Sequence, residues 1–275
     1  MTGDPGVEYG YARLSARLAM RPDERLWRQL HSARSLQAAV DAVRATAAAP
    51  YVAGVGLSGS IDDIELAFRQ HLRARIREVT TWAPQDWQAA LRWTEVLVDL
   101  PIVQHLLGDA PLPKWLRLDP HLAVYAEDDR VRRRARLAQG PLAPLLAVAI
   151  PGRSTPRRSA ASRHGRDGLH PLLAAWEAHW QRCWPRCGDE QRRSLQRLSR
   201  TVRAHLAAFA TLPVEATAPA RERLGERVRR QLHDAAAQPA SLFAYLLLVA
   251  LDVERLRGEF AVRATGRELL AAEAT

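Results

Sequence analysis

The chain has 275 residues, 47% hydrophobic and 25% charged, and a formal net charge of +10. That length buries a substantial core without covalent staples, and that composition excludes wholesale disorder. Two cysteines, Cys183 and Cys187, exclude a disulfide-framework domain. The longest apolar run, Ala240 to Leu251, stops at Asp252 after about a dozen residues, where a membrane span needs about 20.

The start of the chain lacks the basic stretch and apolar core of a secretory signal. The expectation is a cytoplasmic protein, free or peripheral on the cytoplasmic face of a membrane. The positive charge favours an anionic partner: nucleic acid, lipid head groups or an acidic protein surface. Part of it is compositional. Lys114 is the only lysine and asparagine is absent, as in GC-rich genomes that scatter arginine over any surface.

Taken in chain order, the periodicity is helical throughout, with no clean period-2 run. Leu14, Leu18, Leu26, Trp27 and Leu30 begin it, with Pro22-Asp23-Glu24 as a helix start. Leu36, Val40 and Val43 follow at i, i+4, i+7. Gly54 to Ser60 is a turn ending in Ser60, an N-cap, with Asp62 and Asp63 in the first turn of the next helix. Ile61, Ile64, Phe68, Leu72, Ile76 and Val79 give that helix a long apolar stripe. Leu91, Val96, Val98 and Leu100 continue after a start at Pro84, and Gly108 to Pro113 closes the first third. Later helices follow Leu195 to Phe209, Leu224 to Leu232 and Leu242 to Phe260, with Pro171, Pro219 and Pro239 marking starts. The fold class read from this is all-α, antiparallel helices.

The segment 151–168 has no large apolar residue and is rich in Gly, Ser, Pro and Arg, and reads as a basic linker or loop. It divides the chain into an amino-terminal helical part, 1–150, and a carboxy-terminal one, 169–275.

Few constellations suggest chemistry. Gly54 to Ser60 resembles a phosphate loop but lacks the Gly-Lys-Ser/Thr that reaches phosphates. His179, Cys183 and Cys187 share an i, i+4, i+8 spacing, but Pro185 interrupts the helix and no fourth ligand is evident, so no metal or cofactor is assigned. Glu127, Asp128 and Asp129 precede Arg130, Arg132, Arg133, Arg134 and Arg136, the charge order of an exposed helix. Those arginines are the candidate contacts for an anionic partner. Trp176, Trp180 and Trp184 recur every four residues as a packing stripe. No HExxH pattern, nucleophile elbow or triad is present, and no catalytic residue is assigned.

Two segments carry a family resemblance. Near the start stand Tyr9, Tyr11, Arg13, Arg17 and Met20; near the end stand Phe243, Tyr245, Leu246, Leu247, Asp252, Leu256 and Arg257. Together they resemble the V/A-type ATPase stalk-subunit family, whose members occur in eukaryotes, archaea and bacteria. That family opens on a Tyr-x-Tyr-x-x-Ala-Arg-like segment leading to Met and closes its repeats on an aromatic-Tyr-Leu-Leu helix with acidic residues and Leu-Arg. Ala250 stands where the family usually has glutamate, and Arg255 where it often has asparagine. The stretch Leu91 to Leu107 lacks the terminal signature of a first repeat.

The resemblance implies a non-catalytic protein: two or three pseudo-repeated helical units forming a funnel-like socket. The socket sits on the membrane rotor ring, receives the central stalk and couples its rotation to proton or sodium transport. The positive charge adds anionic lipid head groups as an expected partner. The alternative is a helical nucleic-acid-binding or regulatory protein using its arginine-rich surface.

Overall fold

Side-chain caps open the early helices. The computed structural model describes residues 5–56, 60–108, 110–149, 169–209 and 211–273. After α1 (Pro5–Leu18), Asp23 accepts from the Leu26 N–H to start α2 (Glu24–Ser32), and Ser35 accepts from the Ala38 N–H to start α3 (Leu36–Arg44). Ser60 and Asp63 form a reciprocal capping box on α4 (Ile61–Trp82), at 3.2 and 2.9 Å. There follow α5 (Gln85–Trp93), α6 (Glu95–Leu107), α7 (Arg130–Gln139, capped by Asp129), α8 (Ala143–Ala149) and α9 (Leu169–Arg182). The chain continues through α10 (Asp189–Phe209), α11 (Thr217–Asp234) and α12 (Pro239–Glu273). The fold is all-α, and no strand occurs among the described residues.

Residues Met1–Leu91 and Pro185–Thr275 form one compact unit and Arg92–Trp184 a second. This differs from the division expected at 151–168, a segment outside the described residues. The reason is α12, which packs on α1 and α4 as well as on α10 and α11, so both ends of the chain close the same unit.

In the first unit α12 is the central helix. Leu242, Phe243, Tyr245, Leu246, Leu248 and Val249 point around its circumference and all are buried. A helix that is apolar all round belongs in a core, which accounts for the long apolar run of the sequence. No helix among the described residues is long and apolar enough to cross a membrane. Phe260 meets Phe68 of α4 at 5.7 Å, and Phe243 meets Trp87 edge-on at 6.4 Å. Burying each phenyl ring contributes about 2–3 kcal/mol. The α4 stripe is buried at Ile64, Phe68, Ile76 and Val79, while Ile61 is exposed. Gly10 lets α1 approach closely: a Cβ there would stand 3.2 Å from both Leu242 Cδ2 and the Trp82 carbonyl.

In the second unit α6 packs on α9 and α7, and α8 packs on α7 and α9. The Leu91 to Leu100 pattern after Pro84 divides at Thr94 between α5 and α6. The tryptophan stripe is a packed ladder. Trp176 and Trp180 stack at 5.4 Å, and Trp184, just past the end of α9, meets Trp180 edge-on at 4.9 Å.

Candidate functional site

The residues carrying the resemblance come from opposite ends of the sequence and meet in the first unit. α1 and α12 pack together, and a polar seam runs beside them. Arg21, one residue past Met20, grips the Asp252 carboxylate with two hydrogen bonds, Nε to Oδ2 at 2.6 Å and Nη2 to Oδ1 at 2.9 Å. The Tyr51 hydroxyl donates to Oδ2 at 3.2 Å. Arg17 pairs with Glu78 at 2.5 Å and donates to the Met20 sulfur at 3.2 Å, and Arg75 also binds Glu78. Arg257 pairs with Glu65 at 2.9 Å and with Glu254. Phe243, Tyr245 and Leu256 are buried.

The outer members of the opening segment are accessible. Tyr9 is exposed and accepts from Arg13 Nε at 2.9 Å, Tyr11 is half-buried and Arg13 is exposed. Arg255, which departs from the family pattern, stacks on Trp27 with its guanidinium 4.2 Å from the ring centre.

Burial governs the electrostatics of the seam. Desolvation pushes the Asp252 carboxyl above its ordinary range, against the opposing pull of Arg21 and Tyr51. Desolvation opposes the charge on Arg21 too, but the hydrogen bond and charge of Asp252 outweigh it and hold the guanidinium protonated. Burial raises the Tyr51 and Tyr245 hydroxyls, so both remain protonated. The His71 ring packs at a tilt against Tyr51, centres 4.7 Å apart, and its Nε2 is buried without a hydrogen-bond partner. Desolvation first, and then the Arg75 charge, lower its pKa to about 4. Both Asp252 oxygens are engaged and the histidine is held neutral, so the seam is chemically a clamp.

Arg21, Tyr51 and His71 are members of the seam that no motif in the sequence marks as site residues. Arg21 carries one available signal, its place directly after the opening segment.

The arginine stripe divides. Arg133 is buried, 4% exposed, and donates to three backbone carbonyls: Leu106 at 2.7 Å, Glu127 at 2.8 Å and Gly108 at 3.0 Å. It is therefore no contact for a partner, because it closes the carbonyl end of α6. Arg136 pairs with Glu127 at 2.7 Å. Arg130, Arg132 and Arg134 are exposed.

α9 ends at Arg182, the His179 ring packs at a tilt against Trp93, centres 4.1 Å apart, and both cysteines are free. Burial pushes the Cys183 thiol up, which makes it less reactive. Among the described residues no three His, Cys, Asp or Glu side chains gather as a metal site. Of the glycine-rich turn, residues 57–59 lie outside the described residues, and Ser60 serves as a helix cap. A cleft of about 110 Å³ opens between α10, α11 and α12 beside Arg193, Arg197, Gln231 and Gln238. Its Glu190 accepts from Gln238 at 3.0 Å.

No family model matches the chain, and no curated protein or solved structure matches it.

Proposed function

We propose that the chain is a non-catalytic coupling component of a V/A-type rotary ATPase, of the stalk-subunit kind. It is seated on the cytoplasmic face of the membrane rotor ring. Its helical units form the socket that receives the central stalk, and anionic lipid head groups lie beside it. The observation that carries this reading is the Arg21–Asp252 clamp. The two segments resembling the stalk-subunit family, remote in sequence, are neighbours in one unit, and their polar chemistry is spent on holding helices together. A part that transmits torque needs stiffness rather than a reactive group. Packed helices joined by a buried bidentate pair supply it.

The test is affinity purification of the tagged protein from its native membranes in mild detergent, with mass spectrometry of what accompanies it. Recovery of the rotor ring, the stalk and the ATP-hydrolysing head is expected. Recovery of none of them would remove the reading.

A second reading, a nucleic-acid-binding protein, is favoured by one observation: Arg193, Arg197 and Arg200 on α10 and Arg223, Arg227 and Arg230 on α11 are all exposed. It predicts duplex binding that weakens steeply with salt. Absence of binding at low salt would remove it.

A further inference from the structure

Surface helices ordinarily turn apolar residues inward and charges outward. α7 departs from this at two positions, with Arg133 turned inward and Val131 outward. Its inward residues are Arg133 and Leu137, 4% and 0% exposed. On the opposite side, at 100° per residue, lie Val131, Ala135 and Ala138, all exposed; Val131 is 77% exposed. Their spacing of four and then three residues is that of a heptad seam. Arg132 and Arg134 occupy the two positions flanking it. Among the described residues neither guanidinium has a hydrogen bond or an ion pair, whereas Arg136 is held by Glu127.

We infer that this face of α7 is a docking surface for an acidic amphipathic α-helix of a partner protein. The occupant would lay an aliphatic seam along Val131, Ala135 and Ala138 and place Glu or Asp opposite Arg132 and Arg134. Two features select a helix over other anions. The alanines leave the α7 backbone open to close approach by a second helix, at the 8–10 Å axis separation typical of helix pairs. The cations sit on both sides of the seam, where flanking charges choose a partner in two-helix packing. A lipid-inserting face would instead carry bulky side chains along its apolar line. The inference concerns the second unit only and stands apart from the rotary-coupling reading, which rests on the first.

The experiment uses the full chain. A labelled synthetic three-heptad peptide, with leucines on its seam and glutamates flanking it, is titrated by fluorescence anisotropy against the protein. A twin peptide carries lysines at the flanking positions. Like charges keep each peptide from pairing with itself. The glutamate peptide is expected to bind at least about tenfold tighter than the lysine twin, and raising salt from about 50 to about 300 mM should weaken it. The double variant Arg132→Glu/Arg134→Glu changes only exposed side chains, and circular dichroism checks its fold. It should reverse the preference toward the lysine peptide.

Failure of the glutamate peptide to bind, or a preference unmoved by the charge reversal, would overturn the inference. So would binding of phosphatidylglycerol vesicles or duplex DNA through the same two arginines without peptide binding. That result would assign the face to a lipid or a nucleic acid.

Discussion

Trp93 and Trp176 exchange hydrogen bonds: each indole Nε1–H donates to the backbone carbonyl of the other, at 3.0 and 3.1 Å. The exchange fastens the last residue of α5 to α9 and satisfies two indole donors that would otherwise be buried unpaired. Trp93→Phe and Trp176→Phe should each cost about 1–2 kcal/mol. Because the two bonds fix one geometry, the double variant should cost less than the sum by about 0.5–1 kcal/mol. Urea unfolding of all four proteins measures this, and strict additivity would show the bonds to be independent.

Removing one side of the Arg21–Asp252 pair strands the other. Arg21→Met should destabilise by about 3–5 kcal/mol, since it leaves a buried carboxylate without its cation. Adding Asp252→Asn to that variant should recover part of the loss. An Arg21→Met protein as stable as the parent would mean that the Asp252 carboxyl is already protonated in the fold.

His71 ties stability to acid. Its folded pKa of about 4 lies below the ordinary 6.5, so the folded chain refuses a proton that the unfolded chain accepts. The contribution is therefore complete above about pH 6.5 and is lost progressively as pH falls toward 4, by about 2–3 kcal/mol in all. His71→Phe keeps a ring against Tyr51 and removes the titration. Its stability should fall less over that interval, as read from denaturation midpoints at successive pH values. Parallel curves for the two proteins would contradict the assignment.

Gly140 ends α7 where the Tyr125 ring passes. A Cβ at position 140 would lie 2.3 Å from the Tyr125 hydroxyl and 3.2 Å from two ring carbons, and Tyr125 is only 5% exposed. Gly140→Ala should cost about 1–3 kcal/mol by overpacking. Tyr125→Phe in the same chain removes the worst contact and should return part of the loss. No rescue in thermal unfolding would place the strain in the backbone instead.

Local features are legible in the sequence. The caps at Asp23, Ser60 and Asp129 depend on a few adjacent residues, and the helical stripes depend on a period, so both can be read along the chain. The partition into units cannot be read this way. It is set by α12 returning to α1, a choice made by packing, whereas the segment 151–168 stands out only by composition. The clamp is invisible for the same reason. Arg21 and Asp252 lie 231 residues apart, and no pattern links an arginine after one helix to an aspartate that closes an apolar run. The place of Arg133 is hidden because a run of arginines looks uniform in sequence, while the helix turns one of them beneath α6's last carbonyls.

The return of α12 to α1 also sets an order of events at the ribosome. α1 emerges before both helices it packs on: α4 follows soon after, but α12 begins at Pro239, more than two hundred residues later. At about 5–20 residues per second, the side of α1 that meets α12 waits on the order of tens of seconds for its cover. The stretch Arg92–Trp184 is fully synthesised within that interval. A newborn chain therefore carries a finished middle and an unfinished beginning, and a holdase that shields the first helices until the last one arrives would raise its yield.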